Sequence, residues 1–373
     1  MKRTVLAVVL LPTALGLGGC GTLEYYWQGI AGHLELMRRA RPVAAVAGET
    51  ADPALKARLD AAMSIRRFAS DELALPDNGS YTRYADLERP YVVWNVFAAP
   101  EFSLTPRQWC FPIAGCVNYR GYFDENAAKD EAARLAAAGD DVHVGGVPAY
   151  STLGYFEDPL LSTFIRYREP DLARLIFHEL AHQVAYAKDD SGFNESFAVA
   201  VEEEGLARWL AAQRDRPDVA QLAAQVAQGN QRRVEFRMLI RDVRDRLEAL
   251  YASNVTADAR RAGKAELFAE MRSRYDQMKA SWGGGPAFDR WFAGGANNAG
   301  IAAVGLYADH VEQFRELLAA EGGDLPRFYA RVRTLVALPK AERDAALSAA
   351  RPMRNEAGPG QAPGMATKRI ALF

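Results

Sequence analysis

The sequence predicts a mainly helical α+β fold, and three observations carry that prediction. Apolar residues recur at three- and four-residue spacing over 24–47 and 52–74, with few helix breakers. A stretch dense in Val, Ile and aromatics follows, punctuated by Gly and Pro. After Pro170 the helical spacing returns and persists almost to Arg351. The regular βαβ alternation of a doubly wound parallel sheet is absent.

Within the β-rich stretch, "RPYVVWNVFAAP" (Arg89–Pro100) and "CFPIAGCVNYRGYF" (Cys110–Phe123) read as strands. Asp124 is a natural helix cap and Gly139 a natural stop, so a helix is expected between them. "DVHVGGVPAYSTLGYF" (Asp141–Phe156) reads as one strand with a Gly-Gly break, or as two short ones. The helical half divides into 171–187, 193–213, 217–250, 257–280, 297–320 and two shorter pieces, with "SWGGGPAFDRWFAGGANN" as its one clear loop. Residues 353–373 are rich in Gly and Pro and are expected to be disordered. No internal repeat is present.

At 373 residues, with 49% hydrophobic and 25% charged, the chain is globular in composition and long enough for one large domain. A formal net charge of -2, with no basic run, argues against nucleic acid as a partner. The N-terminus "MKRTVLAVVLLPTALGLGGC" places Lys2 and Arg3 before an apolar run from Val5 to Leu17, then small residues up to Cys20. This is export-signal anatomy over residues 1–19, too short for a spanning helix. "LGGC" resembles a bacterial lipobox, which would leave Cys20 lipidated at the head of a domain over 20–352; a plain signal peptide cut near Gly19 is the alternative. Gly21, where Asp would direct retention, resembles outer-membrane sorting on the periplasmic side. The helix that follows, "YYWQGIAGHLELM", carries no basic face and is expected to pack on the body rather than lie on a membrane. Of three cysteines, Cys110 and Cys116 remain; an exported chain can join them in a disulfide, and two buried thiols are the alternative.

"FHELAHQVAY" (Phe177–Tyr186) carries the chemistry. Residues four apart share a helical face, so His178 and His182 can bind one cation. Glu179 then stands beside a water on that cation and can take its proton. His-Glu-x-x-His in an apolar surround is the compact helical solution to zinc-assisted amide hydrolysis.

A catalytic zinc site needs a third protein ligand. Past a turn at Lys188–Gly192, "NESFAVAVEEEGLARWL" begins a second helix, on which Glu195 and Glu202 are seven apart and share a face. Helix rise does not choose between them if the first helix runs to Ala187. Glu203 and Glu204 read as a solvated charge run. Asp190 and Asn194 can orient ligands, or serve as turn former and helix cap.

His-Glu-x-x-His followed by Asn-Glu-x-Phe-Ala resembles the glutamate-zincin metallopeptidases. "FHELAHQ…YAKDDSGFNESFAVAVEEEGLARWL", "WCFPIAGCVNYRGYF", "VPAYSTLGYFEDPLLST" and "GGDLPRFY" are similar to the predicted-aminopeptidase family of bacterial lipoproteins, over most of residues 20–350. That resemblance implies a zincin-like fold with a small sheet beside the His-Glu-x-x-His helix, and Glu195 as the third zinc ligand. Glu202 would then support a histidine, although its longer spacing suits other zincins better. It also implies peptide bound along a strand edge, for which "VHVGGVPAYSTLG" is the candidate, with Gly145 and Gly146 permitting close approach. A structural strand with a bulge is the alternative there. A late-helix Tyr or His as oxyanion donor maps to Tyr307 or His310, for which packing roles compete. His143 and His33 carry no argument for function.

The expected function is a zinc-dependent peptidase, an aminopeptidase by family label, lipid-anchored in the bacterial envelope through Cys20. A lipoprotein that uses a zinc fold to bind cell-wall or outer-membrane partners without turnover is the alternative, as is a zinc hydrolase of non-peptide amides. Neither predicts that Glu179 is needed for peptide cleavage.

Overall fold

The structure, a computed structural model, describes residues 20–111, 115–285, 287–305 and 310–349. The expected export signal, the 353–373 tail and Tyr307 lie outside them, and of Cys20 only the backbone is described. Helix α1 (Cys20–Arg39), strand β1 (Arg41–Pro42) and helices α2 (Val43–Glu49) and α3 (Pro53–Asp71) come first. Then follow β2 (Arg83–Ala85), β3 (Val93–Pro100), β4 (Trp109–Phe111), β5 (Gly115–Val117), β6 (Arg120–Tyr122), α4 (Glu125–Ala137), β7 (Asp140–Val147) and β8 (Leu160–Leu161). The remainder is helical: α5 (Glu169–Val184), α6 (Ser191–Ala212), α7 (Val219–Ala252), α8 (Ala257–Ser281), α9 (Asp289–Ala293), α10 (Asn298–Gly305), α11 (Val311–Ala320), α12 (Leu325–Val336) and α13 (Lys340–Ala349). This is the expected mainly helical α+β fold.

Several elements differ from the expectation. The first helix is broken at Pro42, which has no N–H to continue it; Arg41 and Pro42 instead pair with Tyr84 and Arg83. β7 runs unbroken through Gly145 and Gly146, opposite Asn95 and Trp94. A Cβ on Gly146 would collide with the Tyr91 ring, so that glycine admits a tyrosine of this chain. The glycine-rich loop holds the short α9, and the 297–320 segment holds two helices, α10 and α11.

The main sheet has the order β6-β3-β7 and is antiparallel throughout. Side chains alternate across β3. Trp94, Val96 and Ala98 pack with Ala128 and Leu135 of α4, while Phe97 and Ala99 on the other face meet Ala299 and Ala303 of α10. β7 is an edge strand of this sheet. Cys110 and Cys116, opposite each other in the β4–β5 hairpin, are disulfide-bonded.

The largest core is helical. Phe177 of α5, Phe193 and Phe197 of α6, Phe314 of α11 and Phe328 of α12 are fully buried in it. Each such ring contributes about 2–3 kcal/mol by leaving water. Gly205 of α6 sets how closely α5 and α6 approach. A Cβ there would lie 2.9 Å from Phe177 Cδ2 and 2.8 Å from Leu73 Cδ1. A second core joins α7, α8 and α9 through Leu239, Val243, Met271, Tyr275 and Phe292. Among the described residues no helix is long and apolar enough to cross a membrane.

Candidate metal centre

Helix α5 begins with Pro170 in its first turn and two acids, Glu169 and Asp171, that complement its dipole. One apolar stripe, Leu172, Ala173, Ile176, Phe177, Leu180 and Ala181, is buried against the core. The stripe fixes the rotation of the helix and turns His178 and His182 toward α6. The chain leaves the helix at Ala185, which is extended (φ -154°, ψ 133°).

The turn into α6 is tied down by two side chains. Asn194 donates to Ala187 O at 2.8 Å and accepts from Ala187 N at 2.7 Å. Asp190 caps α6 by accepting from Phe193 N at 3.3 Å, and is gripped by Arg343 at 2.7 Å and Lys340 at 3.1 Å. Both residues therefore hold the turn. They place Glu195, in the second turn of α6, opposite the histidines.

Three ligand-type atoms converge. His178 Nε2 and His182 Nε2 are 3.2 Å apart. Glu195 lies 3.3 Å from the first through Oε2 and 3.8 Å from the second through Oε1. Ligands each about 2 Å from one zinc ion at tetrahedral angles stand roughly 3.3 Å apart, so this spacing fits such an ion. Among the described residues His178, His182 and Glu195 form the one group able to hold a metal ion in this way.

Glu202 is two helical turns further on and reaches the other side of His178. Its Oε2 is 2.9 Å from His178 Nδ1, and its Oε1 accepts from Arg174 at 2.7 Å. Arg174 in turn donates to Asn230 of α7 at 2.8 Å. A carboxylate on Nδ1 fixes the tautomer that leaves the Nε2 lone pair free for a cation.

The electrostatics ask for positive charge between the three groups. Burial works against a charged His178, yet Glu195 and Glu202 outweigh it and raise its pKa well above the usual value. Burial pushes His182 down to about 4, so at neutral pH it offers a lone pair. Burial would also raise Glu195, but the two imidazoles hold its carboxyl below the usual range. Glu179 is pushed up to about 7 by burial, offset by His178 and reinforced by Glu195 and Asp158. Its carboxylate makes no hydrogen bond to another described residue.

A cavity of about 570 Å³ opens over the cluster, with His178, Glu179, His182 and Glu195 in its floor. Val93 and Asn95 of β3 and Tyr25, Tyr26 and Ile30 of α1 line it as well. Tyr119, Tyr150 and Tyr186 also line it, and sequence reasoning missed all three. All three lie in loops whose path to the site no spacing rule reveals. His310 starts α11, where its backbone N–H donates to Ser196 Oγ at 3.2 Å, and it is not among the cavity's lining residues. His143 is buried on β7 between Phe97 and Trp291, and His33 bonds Tyr150 OH at 2.6 Å.

Residues 24–347 match the model of a family described as "putative aminopeptidase". The chain belongs to this family. No curated protein matches the chain, and no solved structure does. Family membership and the His-His-Glu cluster together support a zinc-dependent peptidase in general terms.

Proposed function

We propose that this member of the family is a zinc peptidase in which His178, His182 and Glu195 hold the ion and Glu179 is the general base. The convergence of the three ligand atoms on the floor of a cavity that also holds Glu179 carries the reading. Bound zinc would acidify water and polarise the scissile carbonyl. Glu179, with a pKa near 7, is poised to accept a proton from water and return it to the leaving amine. Tyr119 and Tyr186 bring phenols to the same cavity for the developing oxyanion; Tyr307 and His310 remain the late-helix candidates. Glu202 orients His178 and Arg174 orients Glu202.

Glu179→Gln tests the assignment. Metal content by elemental analysis should be unchanged, and hydrolysis of a peptide library should fall at least a hundredfold. Wild-type protein that holds zinc but cleaves no peptide would favour the binding-only alternative.

We further propose that Cys20 is lipidated and anchors the chain in the envelope. The support is its lipobox-like context and the outer face of α1, where Trp27 is 71% exposed beside exposed Tyr26, Ile30 and Leu34. Detergent-phase partition that persists in Cys20→Ser would contradict acylation.

A further inference from the structure

A separate cavity of about 380 Å³ lies behind the cluster, between the β3–β7 sheet and helices α6, α7, α9 and α10. Its walls are apolar, with Phe97, Val199, Phe236, Phe288 and Trp291 prominent. The charges around it do not cancel. Glu202 is already engaged by His178 and Arg174, and Glu203 is engaged by Arg315. Arg233 of α7 donates at 2.7 Å to Asn230, a neutral amide. Arg237, one turn on and on the same helical face, has no hydrogen-bond or ion-pair partner among the described residues. Burial, with Arg174 nearby, lowers the Arg233 pKa against the pull of Glu202, Asp171 and Glu203, none of which hydrogen-bonds it.

An adjoining cavity borders both this space and the candidate site. It shares Arg174 and Glu202 with the apolar cavity, and His178 and Glu179 with the cavity over the metal cluster. We propose that the apolar cavity receives the C-terminal residue of a short peptide, its carboxylate on Arg233 and Arg237 and its side chain among Phe236, Phe288 and Trp291. A planar guanidinium suits a carboxylate in two-point contact, and a space of this size admits one or two residues. The inference rests on the peptidase reading and adds a substrate class to it: short peptides with a free, apolar C-terminus.

Calorimetry on zinc-loaded protein tests it with N-acetyl-phenylalanine, its amide, and decanoate. The free acid should bind at least tenfold tighter than the amide. Arg237→Gln should bring the acid down to the level of the amide and leave the amide unchanged, while Arg237→Lys should keep part of the preference. Equal binding of acid and amide, or equal loss of both in Arg237→Gln, would overturn the proposal. Arg237-dependent binding of decanoate without N-acetyl-phenylalanine would overturn it too, in favour of a fatty-acid site. Turnover separates the two layers. If Ala-Ala-Phe and its C-terminal amide are cut with equal kcat/KM, the peptidase reading stands and this inference fails. If neither is cut while the acid still binds through Arg237, the peptidase reading fails and the carboxylate site stands.

Discussion

Glu202 and His178 meet at 2.9 Å on the side of the imidazole away from Glu195. Two carboxylates from one helix thus address the two nitrogens of one ring, and only one of them faces the cation position. Glu195→Ala should abolish zinc retention after dialysis. Glu202→Gln should weaken it by about 10–100-fold without abolishing it. The reverse order in elemental analysis would exchange their roles.

Asn194 is 2% exposed and satisfies both backbone groups of Ala187. Asn194→Ala leaves the buried Ala187 N–H without a partner and its C=O with only the 3.3 Å bond from Asp190 N, at a cost of about 1–3 kcal/mol. Urea titration of the zinc-free protein reads this independently of the metal. Asn194→Asp keeps the acceptor and loses the donor, so its midpoint should fall between the two. An unchanged midpoint in the alanine variant would contradict the bridging role.

Gly205 sets helix propensity against packing. In a helix, Ala in place of Gly favours folding by about 1 kcal/mol. Here the added methyl meets Phe177 at 2.9 Å and Leu73 at 2.8 Å, and over-packing of this kind costs about 1–3 kcal/mol. Gly205→Ala should therefore be destabilising overall. It should also loosen zinc binding, because Phe177 precedes His178. A rise in Tm would show that α5 and α6 part without strain.

Asp158 is 4% exposed, and burial pushes its pKa up to about 6, partly offset by hydrogen bonds from Thr152. The unfolded value is 3.8. Between these values the native state binds more protons than the unfolded state, so this residue's contribution falls as pH rises from about 4 to about 6. The loss is of order 3 kcal/mol and is complete above the native pKa. Asp158→Asn keeps an acceptor for Thr152 N and should raise stability at pH 7.5 while changing little at pH 3.5. Equal effects at both values would assign the gain to something other than charge.

The histidine pair was legible because a four-residue interval on a helix forces two side chains to one face, whatever the tertiary setting. The third candidate ligand was less so. With α5 taken to Ala187, Glu195 and Glu202 straddle the cation level; α5 in fact ends at Val184, and the extended turn lowers Glu195 to the histidines. That early exit depends on Asn194 bonding back to Ala187, which local propensity does not encode. The two-residue strands β1 and β8 were invisible for the same reason, since each exists only by pairing with β2. Tyr119, Tyr150 and Tyr186 reach the cavity from three separate segments. Their convergence is a property of the packing.

His178, His182 and Glu195 belong to one helical hairpin, so a cation held by them would cross-link neighbours in sequence. Closing so short a segment withdraws little freedom from the unfolded chain. What the ion would supply is chiefly relief of crowded, water-poor lone pairs. Chelation should then loosen the hairpin mouth, seen as faster amide exchange near Ala185–Asn194, and leave exchange in α7 and α8 as slow as before.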